Sequence, residues 1–302
     1  GFLNTGLDER GAEFRGMVQF GDSPGIFADY YKPLDDALKY SFRPSIAYFS
    51  RPLLIFVDLG DALAEIELDE VGGSLVFGRE FGRYAKLYAG FTRYTGNMHI
   101  TIGDPVIEPF SFDGAEWFTE LKYDRLDNRY LPSRGLLSRL KYTRSAENLG
   151  ADLSFDQLEF SVFSSHTFGL HNLILGGQYN TSLDENIPIY GWFTGGGFLN
   201  MSGYEANSLI GPHFGQVMAG YRYQVAKSGF LPGYVGMTLE YGRAAQNRKD
   251  IFNDGLINGS FYLGYRSPLG PVYLGIGWSE QRDAIYFLRV GSIFGPRSLG
   301  RR

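Results

Sequence analysis

The sequence predicts an all-β chain: an antiparallel transmembrane β-barrel of about 14–16 strands. Three observations lead there. Apolar and polar residues alternate over segment after segment, the two-residue period of a strand with unlike faces. These segments run for about 9–13 residues, whereas soluble strands cluster near 5–6 and a tilted bilayer-spanning strand needs about 9–11. The 302 residues also carry 21 Tyr, 25 Phe and 41 Gly, which suit pleated, twisted sheet.

Residues 1–10 are polar and rich in Gly and Asp, the composition of an entry loop. Gly11 to Phe20 and Gly25 to Pro33 read as a hairpin around Asp22-Ser-Pro-Gly25. Ser41 to Val57 and Ala62 to Phe81 follow, and a turn at Gly82-Arg83 leads into Tyr84 to Thr95. The stretch from Gly96 to Asp113 is mixed, and its glycines and prolines are expected to break the ladder. Over Glu116 to Asp124, Trp117, Thr119, Leu121 and Tyr123 oppose Glu116, Glu120, Lys122 and Asp124. Gly135 to Arg144 sets Leu136, Leu140 and Tyr142 against Arg139, Lys141 and Thr143. Leu158, Phe160 and Val162 then oppose Gln157, Glu159 and Ser161. In Phe214 to Val225, Val217, Ala219, Tyr221, Tyr223 and Val225 oppose Gln216, Arg222 and Gln224. Leu170 to Asn180, Tyr234 to Arg243, Leu256 to Ser267, Pro271 to Glu280 and Ala284 to Phe294 complete a single domain over residues 1–302.

A soluble sandwich would bury the apolar faces, while a membrane barrel turns them to lipid and keeps the polar faces inside. Segment length favours the barrel. Tyr94, Trp117, Tyr130, Tyr179, Trp192, Tyr221 and Trp278 stand near strand ends, where aromatic girdles form. No apolar run approaches the roughly 18 residues of a membrane helix, which leaves a strand-built span untouched. The net charge of −5 and the lack of a basic block argue against a nucleic-acid partner. Cysteine is absent, as a cell envelope permits. The chain opens at Gly1 with neither Met nor signal peptide, as a mature or excised segment does.

One stretch breaks the pattern. Gly195-Gly-Gly-Phe-Leu-Asn-Met-Ser-Gly-Tyr204, running on to Leu209-Ile-Gly-Pro212, lies between two strands yet is too apolar for a solvated loop. Phe198, Leu199, Met201 and Tyr204 need a surface, and the glycines allow close backbone approach. In a barrel that surface is the inner wall, although composition alone equally suits a Gly-rich connection at the rim.

Catalytic signals are weak. Gly21-Asp-Ser-Pro-Gly25 has the Gly-x-Ser-x-Gly form, but Ser23 joins strand to strand, and Pro24 has no N–H for an oxyanion hole. His99, His166, His171 and His213 form no helical metal pair, and no cofactor motif stands out. The sequons at Asn180 and Asn258 have polar turn composition. The inward charges alternate in sign, which favours mutual pairing over a selective pore.

With loop and barrel together, the chain resembles the outer-membrane superfamily of BamA-type assembly factors and FhaC-type two-partner secretion transporters. In those sixteen-stranded barrels a loop after the eleventh strand enters the lumen carrying Val-Arg-Gly-Phe/Tyr. The corresponding tetrapeptide here is Met201-Ser-Gly-Tyr204, after Gly196-Gly-Phe-Leu-Asn200. That version, with Gly11-Ala-Glu-Phe-Arg15, Tyr31-Lys-Pro-Leu34, Leu131-Pro-Ser-Arg-Gly135 and Tyr221-Arg-Tyr223, looks like the PlpD-type patatin-like phospholipase autotransporters of type V secretion, subclass d. The resemblance implies a lumen loop over about residues 181–213, with Gly195, Gly196, Gly197, Phe198, Ser202, Gly203 and Tyr204 as its motif and Glu240 as the wall contact. Ser202 replaces the usual arginine, so Glu240 is expected to need another partner and Ser202→Ala to matter little. Counting back from the end also places Gly11–Phe20 near the family's third strand, with the first hairpin expected upstream.

The implied function is an outer-membrane translocator or anchor for an attached lipolytic passenger. The barrel itself has no enzymatic activity, catalytic residue, metal or cofactor in that reading. Expected partners are outer-membrane lipid, upstream patatin and POTRA domains, the outer-membrane assembly machinery and a second copy in a homodimer. The alternatives are an assembly-factor or two-partner-transporter barrel, and a porin.

Overall fold

The computed structural model describes residues 1–20, 24–56, 62–103, 108–225, 233–267 and 270–291. Its strands are, in order, β1 (Phe2–Asn4), β2 (Glu13–Gln19), β3 (Gly25–Pro33), β4 (Tyr40–Phe56), β5 (Ala62–Phe81), β6 (Ala85–Gly103), β7 (Phe110–Asp124), β8 (Arg134–Ser145) and β9 (Phe155–Phe168). They continue as β10 (His171–Ser182), β11 (Phe193–Gly195), β12 (Leu209–Gly211), β13 (His213–Gln224), β14 (Gly233–Ala245), β15 (Leu256–Ser267), β16 (Gly270–Ser279) and β17 (Ile285–Val290). Fifteen of them form one antiparallel sheet, each beside its neighbour in sequence, with β10 passing directly to β13. β11 and β12 pair only with each other, inside the 183–212 connection.

The sheet curls around its own inner face into a barrel. Leu53, Ile66, Leu68, Met98 and Phe112, from β4 to β7, are buried in one cluster with Tyr190 of the long connection. Ile174, Met218, Tyr262 and Tyr273, from β10 to β16, are buried with Phe198 of that same connection. Two stretches of wall thus face each other across one insert. Among the described residues no ladder joins β1 to β17.

The two faces differ as lipid and lumen require. Leu175 is 62% exposed and Leu263 60%, on the outside, whereas Glu159 is 7%, Arg222 3% and Glu240 1% exposed. A soluble sandwich would show the reverse. Trp117, Leu121, Phe160, Val217 and Val225 are exposed as the alternation predicts, Lys141 is buried and Glu120 half-buried.

Four expectations need correction. Residues 1–10 hold a short strand, β1, paired with β2 through Phe2 and Gly16. The ladder continues through Gly96, because glycine there admits the Phe112 ring of β7; a Cβ would stand 2.4 Å from it. Tyr94 is no girdle residue, since Gly114 of β7 makes room for its ring on the inner face; a Cβ there would stand 1.7 Å from it. Tyr94 lies inside, 4% exposed, with its hydroxyl 3.3 Å from Glu116. Trp192 belongs to the long connection, where its indole N–H donates to the Ile187 carbonyl at 3.1 Å.

β4, β5 and β6 have 17, 20 and 19 residues. At about 3.3 Å per residue and a tilt near 45°, a strand of β5's length rises roughly 45 Å, past a hydrocarbon core of about 30 Å. The surplus projects at the end bearing the long connection, since β4 continues beyond Phe49, its last residues paired to β5 but not to β3. Long connections mark the extracellular side of such barrels and short turns the periplasmic side.

Leu175→Arg, near the middle of β10, should destabilise the folded barrel in liposomes by about 2–4 kcal/mol. A urea titration that fails to separate this variant from the parent would place Leu175 away from lipid.

Candidate functional site

The long connection enters the lumen as a hairpin. Tyr190 stacks on Phe112 of the wall, centroids 4.1 Å apart. β11 and β12 then form a neck, with Phe193 opposite Gly211. Beyond the neck the backbone tightens. Gly196 N–H donates to the Asn200 carbonyl at 2.7 Å and Gly197 N–H to that of Tyr204 at 2.8 Å. Gly196 has φ 106° and a Cβ there would lie 1.8 Å from the Glu205 carbonyl oxygen, so only glycine fits. Leu199 and Met201 also take left-handed conformations, φ 63° and 70°, at a cost of about 1–3 kcal/mol each. The surroundings must impose that shape.

They do so at Ser202 and Glu240. Ser202 N–H donates to Glu240 Oε2 at 2.7 Å and its hydroxyl to Oε1 at 2.6 Å, while the same hydroxyl accepts from Leu199 N–H at 2.9 Å. Thr238 Oγ1 donates to Glu240 Oε1 at 2.8 Å, and Gly203 N–H to Asn258 Oδ1 at 3.3 Å. Serine, rather than a guanidinium, meets the acid. A buried group left without its hydrogen-bond partner costs about 1–3 kcal/mol, and Ser202→Ala would leave the Leu199 N–H in that state.

Contact this close needs glycine on both sides. A Cβ on Gly277 of β16 would stand 1.8 Å from the Ser202 carbonyl oxygen, and one on Gly203 would stand 2.2 Å from that of Trp278. Packing completes the seat. Phe198 lies 5.0, 5.2 and 4.7 Å, centroid to centroid, from Tyr262, Tyr273 and Phe287. Tyr204 and Met201 are fully buried with Phe193, Leu209, Phe214 and Leu256. The seat therefore reaches β15, β16 and β17 as well as β13 and β14, because curvature brings these strands to the same lumen.

A second insert rises from the opposite end. The turn over residues 125–133 folds inward, and Leu131 is buried in the same cluster as Phe198. Arg222 donates to the Pro132 carbonyl at 2.7 Å and lies over the Tyr234 ring, 5.1 Å from its centroid. Asp127 shapes the turn by accepting from Ser133 and Arg134 N–H at 2.9 and 3.0 Å. Burial pushes its carboxyl up, but these bonds and the Ser133 hydroxyl outweigh that and hold it below the usual carboxylate range.

Elsewhere the inward charges pair, as their alternating signs suggested. Arg139 bridges Glu120 at 2.8 Å and Glu159 at 3.1 Å, and Lys141 lies 3.6 Å from Glu159. Gly195, Gly196, Gly197, Phe198, Ser202, Gly203, Tyr204 and Glu240 all belong to one site. Ser23 lies outside the described residues. Sequence reading missed Asn258, Gly277, Leu131 and Arg222. Asn258 read as a sequon in a turn, yet its place on the inward face of β15 follows from alternation with Ser260 and Tyr262, which are also buried.

The sequence matches the Omp85 superfamily domain over residues 10–230. No curated protein matches it. Among solved structures the fold is similar to BamA from Haemophilus ducreyi lacking POTRA domains 1-3, with TM-score 0.74 and 12% identity over 96% of this chain and 65% of that one. CdiB from Acinetobacter baumannii gives TM-score 0.59 and 12% identity over 89% of this chain and 52% of that one. CdiB from Escherichia coli gives 0.59 and 11% over 93% and 54%. The chain spans between about half and two thirds of the length of these structures, and at such identity the likeness is one of fold.

Glu240→Ala should strand three donors and raise single-channel conductance in planar bilayers, as should Tyr204→Ala, which removes a ring whose loss costs about 3–5 kcal/mol in a core. Unchanged conductance in both variants would show that the insert does not plug the lumen. Arg222→Ala should speed hydrogen exchange over 125–133 about tenfold, the effect of roughly 1.4 kcal/mol, and leave 195–205 protected.

Proposed function

The chain belongs to the Omp85 superfamily, and from that premise we propose that it is the outer-membrane translocator and anchor of a patatin-like autotransporter. The observation that carries this reading is the lumen insert, whose Gly196-Gly-Phe-Leu-Asn-Met-Ser-Gly-Tyr204 tip meets Glu240 through serine. In the wider superfamily an arginine stands at that position of the tip, and the serine version is the one that resembles the patatin-fused branch. The barrel performs no covalent chemistry in this role. Its ladders keep the backbone satisfied in lipid, its insert seals the lumen, and an attached lipolytic domain supplies the activity. The partners are that passenger, a POTRA domain between passenger and barrel, the membrane lipid, the assembly machinery and a second copy. Folds like those of BamA and CdiB favour one second reading, a barrel that acts on other proteins.

The two separate in cells expressing the whole coding region. The autotransporter reading expects lipase activity on intact cells that disappears when residues 1–302 are deleted, with the activity then found in the periplasm. An assembly factor would instead leave surface lipase unaffected and lower the levels of other outer-membrane barrels on deletion.

A further inference from the structure

One group of side chains serves neither the insert nor the ion-paired wall. It lies on the outer face at the short-turn end. Arg134 opens β8 directly opposite His166 of β9, and directly opposed residues share a face. His171 opens β10 opposite Phe168 of β9 and opposite Tyr223 of β13. Arg134, His166, Phe168 and His171 are all exposed. Their rings run on without a gap: His166 to Phe168 at 6.3 Å, Phe168 stacked on His171 at 5.7 Å, and His171 to Tyr223 at 5.2 Å, centroid to centroid. His171 Nδ1 lies 2.6 Å from the Tyr221 hydroxyl, which fixes the imidazole and leaves Nε2 turned elsewhere.

Depth gives the patch its meaning. Leu173, directly opposite His166, and Leu175 beyond it are exposed and belong to the lipid-facing band. The patch therefore sits where hydrocarbon gives way to headgroups. No acidic side chain pairs with the Arg134 guanidinium among the described residues. The neighbouring Asp127 accepts the backbone N–H groups of Ser133 and Arg134 within its own turn. At headgroup depth, an exposed guanidinium opposite one imidazole, with a second reached through the Phe168 ring, faces phosphodiesters above all. Guanidinium matches phosphate geometry with two parallel donors, and basic clusters at this depth recognise anionic headgroups.

We propose that Arg134, His166 and His171 form a binding site for the headgroup of an anionic phospholipid, with its acyl chains lying along Leu173 and Leu175. An aromatic belt alone would anchor the barrel without regard to lipid charge; this site distinguishes charge.

The test uses the full chain, exchanged into micelles holding equal phosphatidylglycerol and phosphatidylcholine, with retained lipid counted by native mass spectrometry. The parent should retain phosphatidylglycerol over phosphatidylcholine by about fivefold, roughly what one basic contact to an anionic surface is worth. Arg134→Gln combined with His171→Gln should bring the ratio to parity while the unheated protein still migrates as a folded barrel. Should the double variant not fold, Arg134→Gln alone must lower the ratio. Equal retention of both lipids by the parent, or a preference that survives the substitutions, overturns the site. Displacement of phosphatidylglycerol by excess inorganic phosphate also overturns it, since the ligand would then be a free anion.

Discussion

Hydrocarbon offers no partner for a peptide N–H or C=O, and the architecture answers to that requirement. It commits the chain to ladders, and the ladders must curl, because a flat sheet would leave long edges in lipid. Curling has a second effect. With the apolar side chains turned to lipid, the inward positions become polar and enclose a space. The charged wall of β7, β8 and β9 meets that situation by pairing with itself. The wall of β13 to β16 meets it with an insert.

The seat of that insert depends on backbone approach more than on charge. Glycine on the wall, Gly277, and glycine on the insert, Gly203, bring two main chains almost into contact. At that separation the short Ser202 hydroxyl reaches the Glu240 carboxyl directly. The left-handed turns at Leu199 and Met201 follow from the same geometry, since Leu199 N–H must reach the Ser202 hydroxyl while that hydroxyl faces Glu240. Strain, close approach and a buried acid thus form one cooperative unit, separate from the aromatic packing of Phe198.

The barrel was largely legible because alternation with period two records which face meets lipid, and Trp117, Phe160 and Val217 are placed accordingly. Strand continuity was not. Gly96 looked like a break because its role lies in the Phe112 ring of the next strand, which no local pattern reveals. The insert motif could be read from its apolar, Gly-rich composition, and its acid from a resemblance. Its other holders could not. Gly277 and Asn258 act through positions set by curvature, and the 125–133 turn has ordinary turn composition although its Leu131 and Pro132 end up inside the lumen.

The inserts fill the lumen unevenly. At the short-turn end, toward β2 to β6, a cavity of about 250 Å³ remains, lined by Glu13, Tyr31, Ser41, Arg43, Lys86 and Tyr88, with room for roughly eight waters at about 30 Å³ each. Its ion pair, Lys86 with Glu80, is about a third exposed, whereas Glu240 is dry. Dissolved ions screen the first, over a Debye length of about 8 Å at physiological strength, and hardly touch the second. Two electrostatic regimes therefore share one barrel. Ionic strength tunes the wet vestibule and leaves the buried Ser202–Glu240 contact almost untouched.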